Sequence, residues 1–232
     1  MSTFLELCQK VASSSGTVSG TQPTTVVSQT GRLGRIVSWV AEAYTEIQNL
    51  HRDWMWLETE FEESLVAAQQ SYEGSDFSFT RLDAFLIGTP EKSRLSLYDT
   101  TVGVSDEGHL QVLDWQVFHR AYLVGANRST TEKPTHAALD PAGKLWLYPT
   151  PDAAYKIHGV YRKGPQTLAV DADLPEMPAR FHDLIKWQAL IYLGEYDESA
   201  VQLPLWMFNR TRVLSQLERN QLPEITAPGT LA

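Results

Sequence analysis

The chain has 232 residues, long enough for one large or two small domains with a real core. Hydrophobic residues make up 43 % and charged residues 20 %, an ordinary globular balance, whereas seven tryptophans favour large buried aromatic clusters or broad interfaces. The net charge of −9 makes the chain a poor candidate for gripping DNA by its phosphates, which needs clustered Lys and Arg; an acidic wall can still line a conduit that a duplex passes without sticking.

Cys8 is the only cysteine, so no internal disulfide and no cysteine metal site is available. Beside Leu5 and Val11 on an apolar helix face, it reads as a buried small hydrophobe. Residues 11–31 carry no charge but are rich in Ser, Thr and Gly, which does not make a membrane span. No basic N-terminus precedes an apolar core, so the expectation is a soluble protein without a secretion signal.

Taken in order, residues 3–13 predict a short helix with Phe4, Leu5, Cys8 and Val11 on one face. Ser13–Gly31 is a polar loop with Gly16, Gly20 and Pro23, and its Thr24-Thr25-Val26-Val27 is a candidate strand for pairing with a neighbour. Residues 30–50 predict a long amphipathic helix, because Leu33, Ile36, Val37, Val40, Tyr44 and Ile47 recur at three- and four-residue spacing. It leads to Trp54, Met55, Trp56 and Leu57, an aromatic anchor at the mouth of a strand-like run. There Thr59, Phe61, Glu63 and Leu65 alternate with Glu58, Glu60, Glu62 and Ser64, the period of a strand with one wet, acidic face.

Residues 69–93 read as loop-rich, with a short strand at Ala84–Ile87. Arg94–Tyr98 and His109–Val112 follow as strands, and Asp114 is a cap for a brief helix holding Val117, Phe118 and Tyr122. Asp140-Pro141-Ala142-Gly143 places Asp, Pro and Gly where a type I turn wants them. With Thr135–Leu139 before it, and Lys144–Tyr148 and Tyr155–Arg162 after it, the pattern predicts a three-stranded antiparallel meander. Pro178 suits the first turn of a helix running to Leu193 and stopping at Gly194, apolar on several sides and therefore central. Trp187 is its aromatic anchor. A last helix is expected over about 198–220, with Leu203, Met207, Val213, Leu214 and Leu217 inward and Pro204 either starting it late or kinking it. The fold class that results is α+β: terminal helices forming a bundle, with an antiparallel sheet inserted at about 54–165. The expectation is a single domain over 1–222 and an extended tail over 223–232.

This order of elements resembles the head-to-tail adaptor proteins of tailed bacteriophages. The likeness is carried by the short N-terminal helix, the Thr/Val/Gly loop, the long helix with its Trp54-Met55-Trp56-Leu57 exit, and Phe181–Ala200. The resemblance implies a structural virion protein at the neck between capsid portal and tail, made in the host cytoplasm. It would form a ring, an expected dodecamer, docking on the portal protein and meeting tail or nozzle proteins. Genomic DNA would pass through the channel without specific binding, and no cofactor, metal or membrane is implied. Leu203, Trp206, Arg210, Arg212, Leu222 and Pro223, with Thr24 and Val26, are the candidate portal or subunit contacts; the 69–93 loop is another. Trp54, Trp56 and Trp187 are the structural anchors.

No catalytic constellation competes with that reading. The histidines at 51, 109, 119, 136, 158 and 182 have no metal-site spacing and read as surface or interface side chains. Gly31-Arg32-Leu33-Gly34 lacks the Gly-Lys-Ser/Thr ending of a phosphate loop, and no Gly-x-Ser-x-Gly elbow is present. Asp171, Asp173 and Glu176 lack the later ligands of a calcium loop and read as loop and helix-start charge. The alternatives are a tail-terminator or tail-tube ring protein, and further off a hydrolase or carbohydrate-binding module using Trp146 and Tyr148.

Overall fold

The computed structural model describes residues 1–15, 22–197 and 201–223. The elements are α1 (Phe4–Ser14), α2 (Gly31–Leu50), β1 (Glu58–Ser64), β2 (Ser71–Tyr72), β3 (Leu82–Phe85), β4 (Gly88–Thr89), β5 (Lys92–Ser93), β6 (Ser96–Asp99), β7 (Gly108–His109), β8 (Gln111–Val112), α3 (Trp115–Tyr122), β9 (His136–Leu139), β10 (Leu145–Tyr148), β11 (Tyr155–Lys163), α4 (Asp183–Tyr196) and α5 (Leu203–Gln221). The fold is α+β. It divides into two compact units, a helical one from Met1–Leu57 with Pro165–Ala232 and a sheet-bearing one from Glu58–Gly164.

In the helical unit, α1 opens on a capping box. The Thr3 hydroxyl accepts from the Glu6 backbone N–H while the Glu6 carboxylate accepts from the Thr3 N–H. Burial pushes the Cys8 thiol up to about 12, which keeps it protonated and inert. Helix α2 buries Ile36, Val40, Ala43, Tyr44 and Ile47, the stripe its periodicity predicts. Just beyond it Trp54 is fully buried, donates its indole N–H to the Ile47 carbonyl at 3.1 Å, and stacks on Trp56 at 4.3 Å. The returning chain is stitched back onto α2. Gln48 donates to the Gln166 carbonyl at 2.9 Å and accepts from the Gln166 N–H at 2.8 Å, while the Tyr44 hydroxyl donates to the Gln166 side chain.

Helix α4 is the centre of this unit and packs against α1, α2 and α5. It runs past Gly194 to Tyr196, so Gly194 is not a stop. Its role is close approach: a Cβ there would lie 2.8 Å from the Trp206 ring. His182, just before α4, is buried rather than at the surface. Its Nδ1 accepts from the Ser2 N–H at 3.2 Å, and its Nε2 lies 2.9 Å from the Met177 carbonyl. Helix α5 starts at Leu203 with Pro204 in its first turn, the late start being what a proline without an N–H permits. The earlier start expected at Glu198 lies outside the described residues, as do Gly16 and Gly20 of the loop and residues 224–232 of the tail.

The Thr24–Val27 segment is not a strand. Asp171 clamps it, accepting from the Val26 N–H at 2.5 Å and the Thr25 hydroxyl at 3.2 Å, and Val26 is buried in the helical core. Asp173 accepts from the Ala169 and Val170 N–H groups at 2.6 and 2.8 Å. These aspartates, which read as simple loop charge, organise the loop.

In the sheet unit, β11 is the spine of a sheet ordered β1-β11-β6-β7, with β3 also pairing β11. A second sheet is ordered β2-β10-β9-β8, and β4–β5 form a small hairpin. The β9–β10 hairpin forms as its turn demands, Gly143 at φ 82° donating to the Asp140 carbonyl at 2.9 Å. The predicted three-stranded meander does not. β11 leaves that hairpin and pairs with β1 instead, with Glu58 opposite Arg162 and Glu62 opposite His158. Lys156 reaches Glu62 at 2.6 Å and Arg94 reaches Glu58 at 3.2 Å. The acidic face of β1 is thus matched by basic side chains brought from distant positions. The stretch 69–93 holds four short strands, with β3 falling two residues before the predicted one.

Candidate interaction surface

Helix α5 turns its core face with Trp206, Val213 and Leu217, spaced by seven and four residues. Trp206 is 4 % exposed. This phase pushes Leu205 (59 % exposed), Phe208 (66 %) and Met207 (52 %) outward, together with Val201 immediately before the helix. On a helical wheel Leu205, Phe208, Arg212 and Arg219 follow one another at three-, four- and seven-residue steps, so they form one outward stripe. Its first half is apolar and its second half basic. An aliphatic and aromatic cluster left in water on a helix this well anchored is a candidate contact surface.

The long α2 carries the complementary feature. Ala41, Glu42, Thr45, Glu46 and Asn49, with Thr167 and Leu168 of the returning chain, line a groove of about 470 Å³. Among the described residues its only ionisable lining groups are the carboxylates of Glu42 and Glu46. Glu46 accepts from the Gln188 amide at 2.9 Å and from the Tyr192 hydroxyl, and Gln188 in turn accepts from Arg210 at 2.8 Å. A polar chain therefore crosses the unit from α5 through α4 to α2 and holds the groove wall in place.

Among the described residues no cluster of His, Cys, Asp or Glu could hold a metal ion, and no helix is long and apolar enough to cross a membrane. The model of the SU10 adaptor protein family matches residues 2–230. The chain belongs to the SU10 adaptor family. The likeness to phage head-to-tail adaptors in the order of its elements is thereby shown, and the chain is a phage adaptor protein of a structural family. No curated protein sequence matches it.

The candidate contact residues of the adaptor do not share one surface. Trp206 and Val26 are core side chains of the helical unit. Leu203 and Leu222 are half-buried against that core, and the Arg210 guanidinium is directed to Gln188. Arg212, Pro223 and Thr24 are exposed. Trp54 lies in the helical core, and Trp56 and Trp187 are half-buried against it, with the Lys186 ammonium 3.9 Å from the Trp187 ring centre. Met207, expected inward, is outside. Sequence reasoning missed Leu205 and Phe208, although the signal was present: once Trp206 is placed inward, both must face away.

The sheet unit of the adaptor carries a second concavity, about 450 Å³, lined by Gln70, Ser71, Trp115, His119, Leu123, Arg128 and Trp146. Trp146 donates its indole N–H to Asp140 at 3.1 Å, and its ring centre is 5.6 Å from that of Trp115. Tyr148 is stacked on Tyr122 of α3 at 4.0 Å, so one face of its ring is covered.

Proposed function

We propose that this adaptor is the ring-forming head-to-tail connector of its phage: it docks on the portal, joins it to tail or nozzle proteins, and surrounds the DNA channel in the virion neck after synthesis in the host cytoplasm. The observation that carries the reading is the family match across residues 2–230. The exposed stripe on α5 supports it, because a protein that works by docking needs surface of that kind. The five helices among the described residues also fit an adaptor better than the mostly β layout of a tail-tube ring. The adaptor then acts by shape and adhesion with no reaction. Net charge of −9 suits a conduit wall that repels phosphate.

Co-sedimentation tests the docking step. The adaptor mixed with portal rings from the same phage should move with them through a sucrose gradient, while tail-tube subunits should leave it at the top. Migration with the tail tube and not with the portal would transfer the assignment to a tail-side ring protein.

A further inference from the structure

We propose that the outward stripe of α5 is one half of the subunit–subunit contact, and that its other half is the α2 groove of a second copy of this chain. The proposal rests on the ring reading and adds to it the identity of the two faces. Leu205 and Phe208 supply an apolar ridge. The groove beside Ala41, Thr45 and Leu168 supplies an open slot that a Phe side chain can enter. Arg212 follows Phe208 by one helical turn, and Glu42 stands between Ala41 and Thr45 on the groove wall. Seating the ring therefore brings a guanidinium to a carboxylate.

Two further observations select this occupant. First, the stripe cannot satisfy itself across a two-fold axis. Paired with its own copy, it would offer Arg212 and Arg219 no acid, because the stripe carries none. Second, the two faces are on different helices, with α4 packed against both. A contact between two different faces is heterologous, the kind a ring needs, and it closes when the rotation per subunit divides the full turn. The apolar ridge gives the burial and the charge pair gives the register.

The test uses the full chain with portal rings, and because Cys8 is buried, engineered thiols are the only reactive ones. In the variant carrying both Thr45→Cys and Phe208→Cys, mild oxidation should give a ladder of disulfide-linked oligomers, and either single substitution should give none. Arg212→Glu and Glu42→Arg should each weaken assembly by at least about tenfold, since each sets like charges face to face. The double reversal should restore it. Circular dichroism of each variant should match wild type, because both side chains are exposed. Wild-type rings with no ladder, or with charge reversals that leave assembly unchanged, would overturn the proposed faces while leaving the ring intact. So would reversals that weaken assembly without mutual rescue, which would mean that α5 meets the portal instead. If the wild-type chain forms no ring with portal present, the ring reading falls and this proposal falls with it.

Discussion

His182 shows how one side chain links packing to solution behaviour. Its ring is buried, and desolvation first of all, then the nearby chain terminus and Lys10, hold its pKa below the ordinary 6.5. The folded chain keeps it neutral where the unfolded chain has begun to protonate. The unfolded state therefore binds the extra proton between the depressed value and 6.5, and stability must fall as pH drops through that window. Urea unfolding at pH 7.5, 6.5 and 5.5 should show a declining midpoint, with His182→Gln less stable at pH 7.5 but flatter across the series. Asp197 acts in a different window. Its hydrogen bond with Arg32 holds its carboxyl below 3.8, so that contribution is present above 3.8 and is lost only as pH falls through the lower folded value. A midpoint that holds steady from pH 7.5 to 5.5 would contradict the neutral, doubly bonded His182. Trp54 is the other residue-scale test. Removing a fully buried indole whose N–H is bonded should cost about 3–5 kcal/mol on Trp54→Ala, read by the same unfolding curves.

Elements that draw their shape from local chemistry were legible in the chain, and those set by distant partners were not. The α2 stripe, the Asp114 cap that accepts from the Gln116 N–H at 2.8 Å, and the Asp140–Gly143 turn follow from spacing and turn chemistry alone. The place of β11 did not follow, because its partner β1 lies roughly a hundred residues earlier, and the ion pairs beside it, Lys156 with Glu62 and Arg94 with Glu58, also join residues far apart in the chain. The surface of α5 was missed for a related reason. With apolar residues at 203, 205, 206, 207, 208, 213, 214 and 217, several helical phases look equally apolar. Gly194 decides among them by admitting the Trp206 ring. Two glycine substitutions test this account of the elements. Gly194→Val should displace Trp206 and destabilise the helical unit by about 1–3 kcal/mol, the usual range for overpacking. Gly159→Val should similarly damage the β11 sheet, since even a Cβ would come within 2.5 Å of Leu95 and 2.9 Å of Phe61. Either substitution passing with no change in the unfolding midpoint would mean that the packing has slack the structure does not show.

At the scale of the whole chain, each unit has its own buried cluster, one around Ile36, Trp54 and Leu190 and one around Phe61, Leu97 and Tyr161. The ends of the sheet unit lie together because Glu58 pairs with Arg162. Replacing Glu58–Gly164 by a short Gly/Ser linker should therefore leave a helical unit that still folds and unfolds cooperatively, as judged by circular dichroism. A collapsed, non-cooperative product would make the two units one domain energetically, whatever their separate cores. In its proposed role this adaptor acts as a ring joined to a portal. Native mass spectrometry of the chain, alone and mixed with the portal protein of the same phage, tests it most directly. A complex of defined copy number that forms with the portal is the predicted result and would count the subunits. An intact portal ring that takes up no adaptor at any ratio would contradict the claim.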